Sequence, residues 1–376
     1  MRRCAVYAVL CLLLVCNLAA QDQRISYENH TAYLTEILAH TSSNSGKDIH
    51  FIGWLLNTSQ LNFPKGHSLN LSLALTHGGE PSANIVGDLQ TFSNLEAGFN
   101  YGFFEVYYQY KQGDFWVKLG QVDINTDFLV SRNGLLFTHS SFGIDAVAAM
   151  NVPAPTYPVT GFSLTTQIPI TELVRIKAGI FDGQFAMPRN NYLGINWALN
   201  EKEGLIYVLE PRFQLFKNRL VQKVGFYYHS GTFTDYTPGA NTTTEGLSGL
   251  YLVSDLMLLQ WQEKKKLSLF AQYNLTVKQK ASLLDYYLGL GMKIDNLINS
   301  SRPNALGMAV AHAKVNTEYG NLADGLASET VLEINFKQEV DDWLSLQPYF
   351  HYIGMNEIRR PMKNPVVLAL RAYIEF

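Results

Sequence analysis

The last eleven residues, Val366 to Phe376, read V-V-L-A-L-R-A-Y-I-E-F. Side chains of an extended strand alternate between its two faces. Val366, Leu368, Leu370, Ala372, Ile374 and Phe376 therefore share one wholly apolar face. Val367, Ala369, Arg371, Tyr373 and Glu375 share the other, with two charges and a phenol. A strand of this length that is apolar outside and polar inside fits a transmembrane β-barrel better than a soluble sandwich. This register puts Arg371 and Glu375 in a lumen and Leu370 and Phe376 on lipid.

The same period of two recurs along the chain. Leu69, Leu71, Leu73 and Leu75 alternate with Asn70, Ser72, Ala74 and Thr76. Phe104, Val106, Tyr108 and Tyr110 alternate with Glu105, Tyr107, Gln109 and Lys111. Similar segments follow near 115–119, 159–168, 173–181, 204–216, 220–230, 246–258, 264–275, 283–293, 305–314, 328–339, 343–353 and 365–376, bounded by Gly, Pro, Asn or Asp. Repetition on this scale predicts an all-β chain. Short links (112–113, 169–172, 217–219, 259–263, 340–342) mostly alternate with long ones (122–158, 182–203, 231–245, 315–327, 354–364), with 294–304 longer than its class. Short periplasmic turns and long external loops are the outer-membrane arrangement.

From residue 68 onward the pattern contains fourteen strands, and 50–58 would be a fifteenth. Closed bacterial barrels take even numbers. The expected fold is thus an antiparallel transmembrane barrel over 50–376 with sixteen strands, one hidden near the N-terminus, or fourteen if 50–58 does not span. Residues 21–49 are expected to form an N-terminal periplasmic segment. Within it, the spacing of Tyr33, Leu34, Ile37 and Leu38 predicts a short helix over 31–40, stopped by the polar run 42–46.

Residues 1–20 read as a cleaved secretory signal peptide: Arg2 and Arg3, an apolar run from Ala5 to Val15, then Leu18-Ala19-Ala20. It contains all three cysteines, Cys4, Cys11 and Cys16, so the exported chain would form no disulfide. A barrel whose backbone is fully paired in lipid gains its stability elsewhere. Removing Arg2 and Arg3 from the 29 basic residues leaves 27 against 32 acidic ones, a formal charge of −5, which gives no footprint for nucleic acid. After the signal, no stretch approaches the roughly 20 apolar residues of a spanning helix. The mean hydropathy of −0.03 suits a barrel, in which lipid-facing and lumen-facing residues offset one another.

Enzyme signatures are missing: there is no His-Glu-x-x-His, no Gly-x-Ser-x-Gly and no phosphate-cradling glycine loop. The chain is read as a non-enzyme. The informative residues are polar groups on inward faces: Glu105, Tyr107, Lys118, Arg175, Lys177, Glu210, Arg212, Lys223, Tyr227, His229, Glu329, Glu333, Lys337, Tyr349, Arg371 and Glu375. An Arg or Lys facing lipid at mid-depth costs about 2–4 kcal/mol, so these must line water or pair with one another. Charges of both signs mixed with aromatic rings suit neutral polyhydroxyl solutes, which hydrogen-bond at their edges and present C–H faces to rings; the alternatives are a general or ion-preferring diffusion pore and a sealed structural or adhesion barrel. The long link 122–158 carries its own apolar residues and is expected to fold rather than float. Bent inward, it would place Asp123, Asn125, Asp127, Arg132, Asn133 and His139 at a constriction.

Several runs resemble the carbohydrate-selective porin (OprB) family: Leu119 to Phe128 (LGQVDINTDF), Phe137 to Gly143 (FTHSSFG), Phe181-Asp182-Gly183, Gly225 to Phe233 (GFYYHSGTF), Trp343 to Ile353 (WLSLQPYFHYI) and Leu370-Arg371 up to Phe376. They run in the family's order from about residue 85 to the end. The resemblance implies a sixteen-stranded bacterial outer-membrane barrel that admits small carbohydrates passively, with no cofactor and no energy coupling. It further implies a narrow zone of arginine and acidic side chains around the sugar. The expected partners are carbohydrate solutes and outer-membrane lipid, and the assembly is a monomer or a homotrimer.

Overall fold

The computed structural model describes residues 25–40, 49–183, 193–195, 197, 203–237, 239, 242–277, 279–317, 325–357 and 364–376. The proposed signal peptide lies outside the described residues. Sixteen strands form one closed antiparallel barrel. They are β1 Ser26–His40, β2 Ile49–Phe63, β3 His67–His77, β4 Asn100–Gln112, β5 Phe115–Val122 and β6 Gly161–Pro169. Next come β7 Val174–Asp182, β8 Leu205–Leu215, β9 Leu220–Thr234, β10 Thr243–Gln260 and β11 Lys266–Thr276. The series ends with β12 Leu284–Asp295, β13 Asn304–Val315, β14 Leu326–Asp341, β15 Leu344–Glu357 and β16 Val366–Glu375. Each strand pairs with its sequence neighbours, and β1 closes the ring on β16 with Glu36 opposite Arg371 and Leu34 opposite Tyr373. Closure removes both sheet edges, as the absence of water in lipid requires.

The fourteen strands read from residue 68 onward are β3 to β16. The fifteenth is β2, and the hidden strand is β1. Residues 31–40 therefore belong to a strand and not to a helix, which corrects the expected N-terminal segment. The reason is physical. Leu34 and Leu38 point inward, and Leu38 is fully buried beneath loops that enter the barrel. Ile37 points outward and is exposed on the lipid side. With apolar residues on both faces, the period of two disappears and a helical spacing remains.

Elsewhere the alternation holds. Leu164, Ile180, Leu209, Phe226, Leu250, Leu290, Val310, Ile334, Leu368 and Leu370 are exposed on the outer wall. Rings gather at both rims: Phe216, Trp261, Trp343 and Phe376 at the short-turn end, and Tyr101, Tyr207, Tyr228 and Tyr352 toward the long-loop end. Such girdles sit at the two lipid–water interfaces of outer-membrane barrels. One register shift matters: Ser72 faces Glu105 and Leu73 faces Phe103, so Phe104 is an extra residue in β4. This bulge turns the Phe104 ring inward against Trp54 and Tyr157, rather than onto lipid beside Val106.

Candidate functional site: a lumen with two inward loops

The links at 123–160 and 78–99 both enter the barrel. The sequence pattern singled out the first and passed over the second. Their apolar residues Phe92, Leu95, Phe137, Phe142 and Val147 form a buried core with the inward Leu38, Ile52, Phe270, Val331, Ile353 and Val367 of the wall. A second core sets Phe128, Leu129, Ala148 and Val152 against Phe181, Ile206, Val208 and Tyr251. Two short helices help shape loop 123–160. Asp123 caps Ile124–Asp127 by accepting from the Asn125 amide at 2.8 Å, and Asp145 caps Ala146–Asn151 by accepting from Ala148 at 3.0 Å. Burial pushes each of these carboxyls up to about 6.

A buried loop has backbone donors that must find partners, and the wall provides carboxylates for them. Glu333 accepts from the amides of Thr138 at 2.8 Å and His139 at 3.0 Å, and from the Thr138 hydroxyl at 3.1 Å. Glu329 accepts from Leu89 at 2.7 Å and Gln90 at 3.0 Å, in the other loop. Asp255 holds the Ser131 hydroxyl and the amides of Arg132 and Asn133, at 2.7–3.0 Å. Glu210 takes the Leu129 amide at 3.2 Å and the Tyr251 hydroxyl at 2.8 Å. Lysines do the converse for carbonyls. Lys177 donates to the Asp127 carbonyl at 2.5 Å, and Lys223 donates to that of Val130. The loop is thus anchored strand by strand from β7 to β10 and again on β14.

The inward residues expected from the sequence therefore divide by task. Lys118 is buried and ion-paired to Asp127 at 2.9 Å, its ammonium lying between the Tyr107 and Trp116 rings. Glu105 accepts from the Asp123 amide at 3.2 Å and the Thr126 hydroxyl at 3.3 Å, at the root of the loop. Asn125 donates to the Phe128 carbonyl at 3.3 Å. Tyr227 donates to Asn274, which in turn holds Asp145. His229 meets the Gly183 carbonyl at 3.1 Å. His139 is fully buried, and burial lowers its imidazole to about 3, so it is neutral. Apart from His229, whose partner is the residue just after β7, these groups, with Lys177, Glu210, Lys223 and Glu333, hold the loop in place. Arg175 pairs with Asp114 near the short-turn end. Arg212 is half-buried, and its Nε has no hydrogen-bond partner among the described residues. Arg371 donates to Glu36 at 2.6 Å and to Asn94 at 2.6 Å, while Glu36 also accepts from Ser93 and Tyr349. That network ties the β1–β16 seam to loop 78–99. Arg371 also borders an open chamber, and the exposed Arg132 reaches it from the loop.

On the inner face of β2 to β4 the sequence pattern singled out only Glu105 and Tyr107. Thr58 faces Ser72, Gln60 faces Asn70, and Asn62 faces Ser68; these continue to Tyr107 and Gln109 of β4. Apart from Glu105 opposite Ser72, these are uncharged and polar, and no hydrogen bond from either loop to their side chains is found among the described residues. The wall opposite the loop anchors is thus a patch of amides and hydroxyls. Its alternating Ser68, Asn70 and Ser72 were visible in the sequence, but carried no charge to draw attention.

This architecture is that of an outer-membrane porin. A sequence profile of the carbohydrate-selective porin, OprB family, matches residues 51–376, and the chain belongs to that family. A search of curated protein sequences gives no match. Among solved structures, the chain is similar to OprB of Pseudomonas putida, with a TM-score of 0.81 at 16% identity, over 93% of this chain and 94% of that one. It is also similar to the outer-membrane channel DcaP of Acinetobacter baumannii, with a TM-score of 0.57 at 9% identity, over 95% and 99% of the two chains. An anion-selective porin from Comamonas acidovorans gives a TM-score of 0.56 at 9% identity, over 94% and 100%. At these identities the likenesses show the fold.

Proposed function

We propose that the protein lets small carbohydrates diffuse passively across the outer membrane, after export by a cleaved signal peptide. The observation that carries this reading is the composition of the lumen surface that the loops leave uncovered. The half-exposed Thr58, Gln60, Asn62 and Gln109, with the buried Ser68, Asn70 and Ser72 between them, offer donors and acceptors without charge, suited to the edges of a polyol. The half-exposed Tyr107 adds a ring face for its C–H surface. The loops narrow the passage, and their anchoring makes the restriction rigid. A solute exchanges water for weak, reversible hydrogen bonds and leaves again, because a tight site would slow its own flux. Swelling of liposomes holding the purified chain tests this. Glucose and a disaccharide should enter faster than amino acids of similar size; equal rates would refute the preference.

A further inference from the structure

The open chamber at the short-turn end has a volume of about 640 Å³. It lies between the tip of loop 123–160 and the lower parts of β11 to β16. Six Lys or Arg and three Asp or Glu line it. Two of the six cations are already neutralised: Lys293 by Asp295 at 2.9 Å, and Arg371 by Glu36. Arg132, Lys266 and Lys337 have no carboxylate within salt-bridge distance among the described residues. The Lys337 ammonium rests 5.5 Å from the centre of the Tyr373 ring, on the same wall.

The loop anchors take up wall charge of both signs and leave the chamber's uncompensated cations out. Glu210, Asp255, Glu329 and Glu333 are turned toward loop amides and are buried. These carboxylates are consumed in anchoring together with Lys118, Lys177 and Lys223, whereas Arg132, Lys266 and Lys337 remain beside the chamber. Around it stand groups that suit a sugar ring: the Ser345 hydroxyl and the Gln347 amide oxygen at its wall, and Tyr373 and the exposed Leu135 for C–H faces. We infer that this chamber recognises saccharides carrying an anionic group, a carboxylate or a phosphate ester, through Arg132, Lys266 and Lys337. The inference rests on the carbohydrate reading above and narrows its substrate class.

The smaller cavity at the long-loop end, about 440 Å³, is bordered by Glu80, Asp88 and Glu96. Burial pushes Asp88 up to about 6 and Glu96 up to about 7, which lessens repulsion of an arriving anion at neutral pH.

The test is efflux of labelled glucuronate, glucose 6-phosphate, glucose and adipate from liposomes containing the full chain. At low ionic strength at least one of the two anionic sugars should leave faster than glucose, by a factor on the order of ten. The difference should shrink in high salt as the charges are screened. The triple variant Arg132→Gln/Lys266→Gln/Lys337→Gln should lose that preference while glucose efflux persists. Heat-dependent gel migration confirms that the variant barrel is folded. Should it fail to fold, the wild-type salt dependence and solute ranking still decide. Equal efflux of glucose and both anionic sugars would overturn this inference and leave the sugar reading standing. Adipate passing as fast as glucuronate, with glucose excluded, would overturn both, leaving only a charge-selective pore.

Discussion

Replacing Glu333 by alanine tests the claim that wall carboxylates position the constriction. Glu333 is fully buried and is the acceptor for the Thr138 and His139 amides and the Thr138 hydroxyl. A buried donor deprived of its partner costs about 1–3 kcal/mol, so the two amides alone place about 2–6 kcal/mol against the docked loop. Even the lower figure multiplies the undocked population by about 30. The barrel itself should survive, because the backbone pairing of β14 with β13 and β15 does not involve the carboxylate. Hydrogen exchange should accelerate over 137–143 and remain slow in the strands, where ladder bonds persist. In planar bilayers the single-channel current should rise and become noisier. Glu333→Gln keeps one acceptor oxygen and should fall between wild type and alanine. Unchanged exchange over 137–143 together with unchanged conductance would refute the anchoring argument.

Three further outcomes follow from particular contacts. Arg371→Met leaves the Glu36 carboxylate buried without its cation, a change that costs about 3–5 kcal/mol; heat-dependent gel migration should show unfolding at a lower temperature. Gly225→Val should also destabilise, since an added Cβ would stand 1.9 Å from the Tyr251 ring; displacement of that ring would break its bond to Glu210, and exchange at Leu129 should rise. Loop 78–99 should loosen with rising pH. Burial raises Asp88 from 3.8 to about 6 and Glu96 from 4.5 to about 7, so between the usual and raised values the folded state holds more protons than the unfolded one. The stabilisation is complete below the usual values and is lost as pH rises through about 6 and 7. Exchange of loop 78–99, corrected for intrinsic rate, should be faster at alkaline pH, and Asp88→Asn with Glu96→Gln should remove the trend.

Legibility followed solvent contact. Where a strand meets lipid on one face and water or a polar loop contact on the other, as in β16, alternation revealed both its existence and its register. It failed at β1, where Leu34 and Leu38 face a loop core instead of water. The inward charges were legible as charges needing partners. Their partners were not, since Glu333 meets residues about 195 positions away. Loop 78–99 escaped notice because its anchor, Glu329, stands on a strand 240 residues further along.

The sequence by itself therefore determined the barrel, because each spanning strand records its own two environments in residues next to one another. It also marked the link 122–158 as a folded element, through the apolar residues it contains. Only the tertiary structure decided which charges hold loops and which face solute. That division depends on which loop amides come to rest against which wall carboxylates. Glu333 and Lys337 lie on the same inward face of one strand; the first is buried under Thr138 and His139, while the second stays open to the chamber.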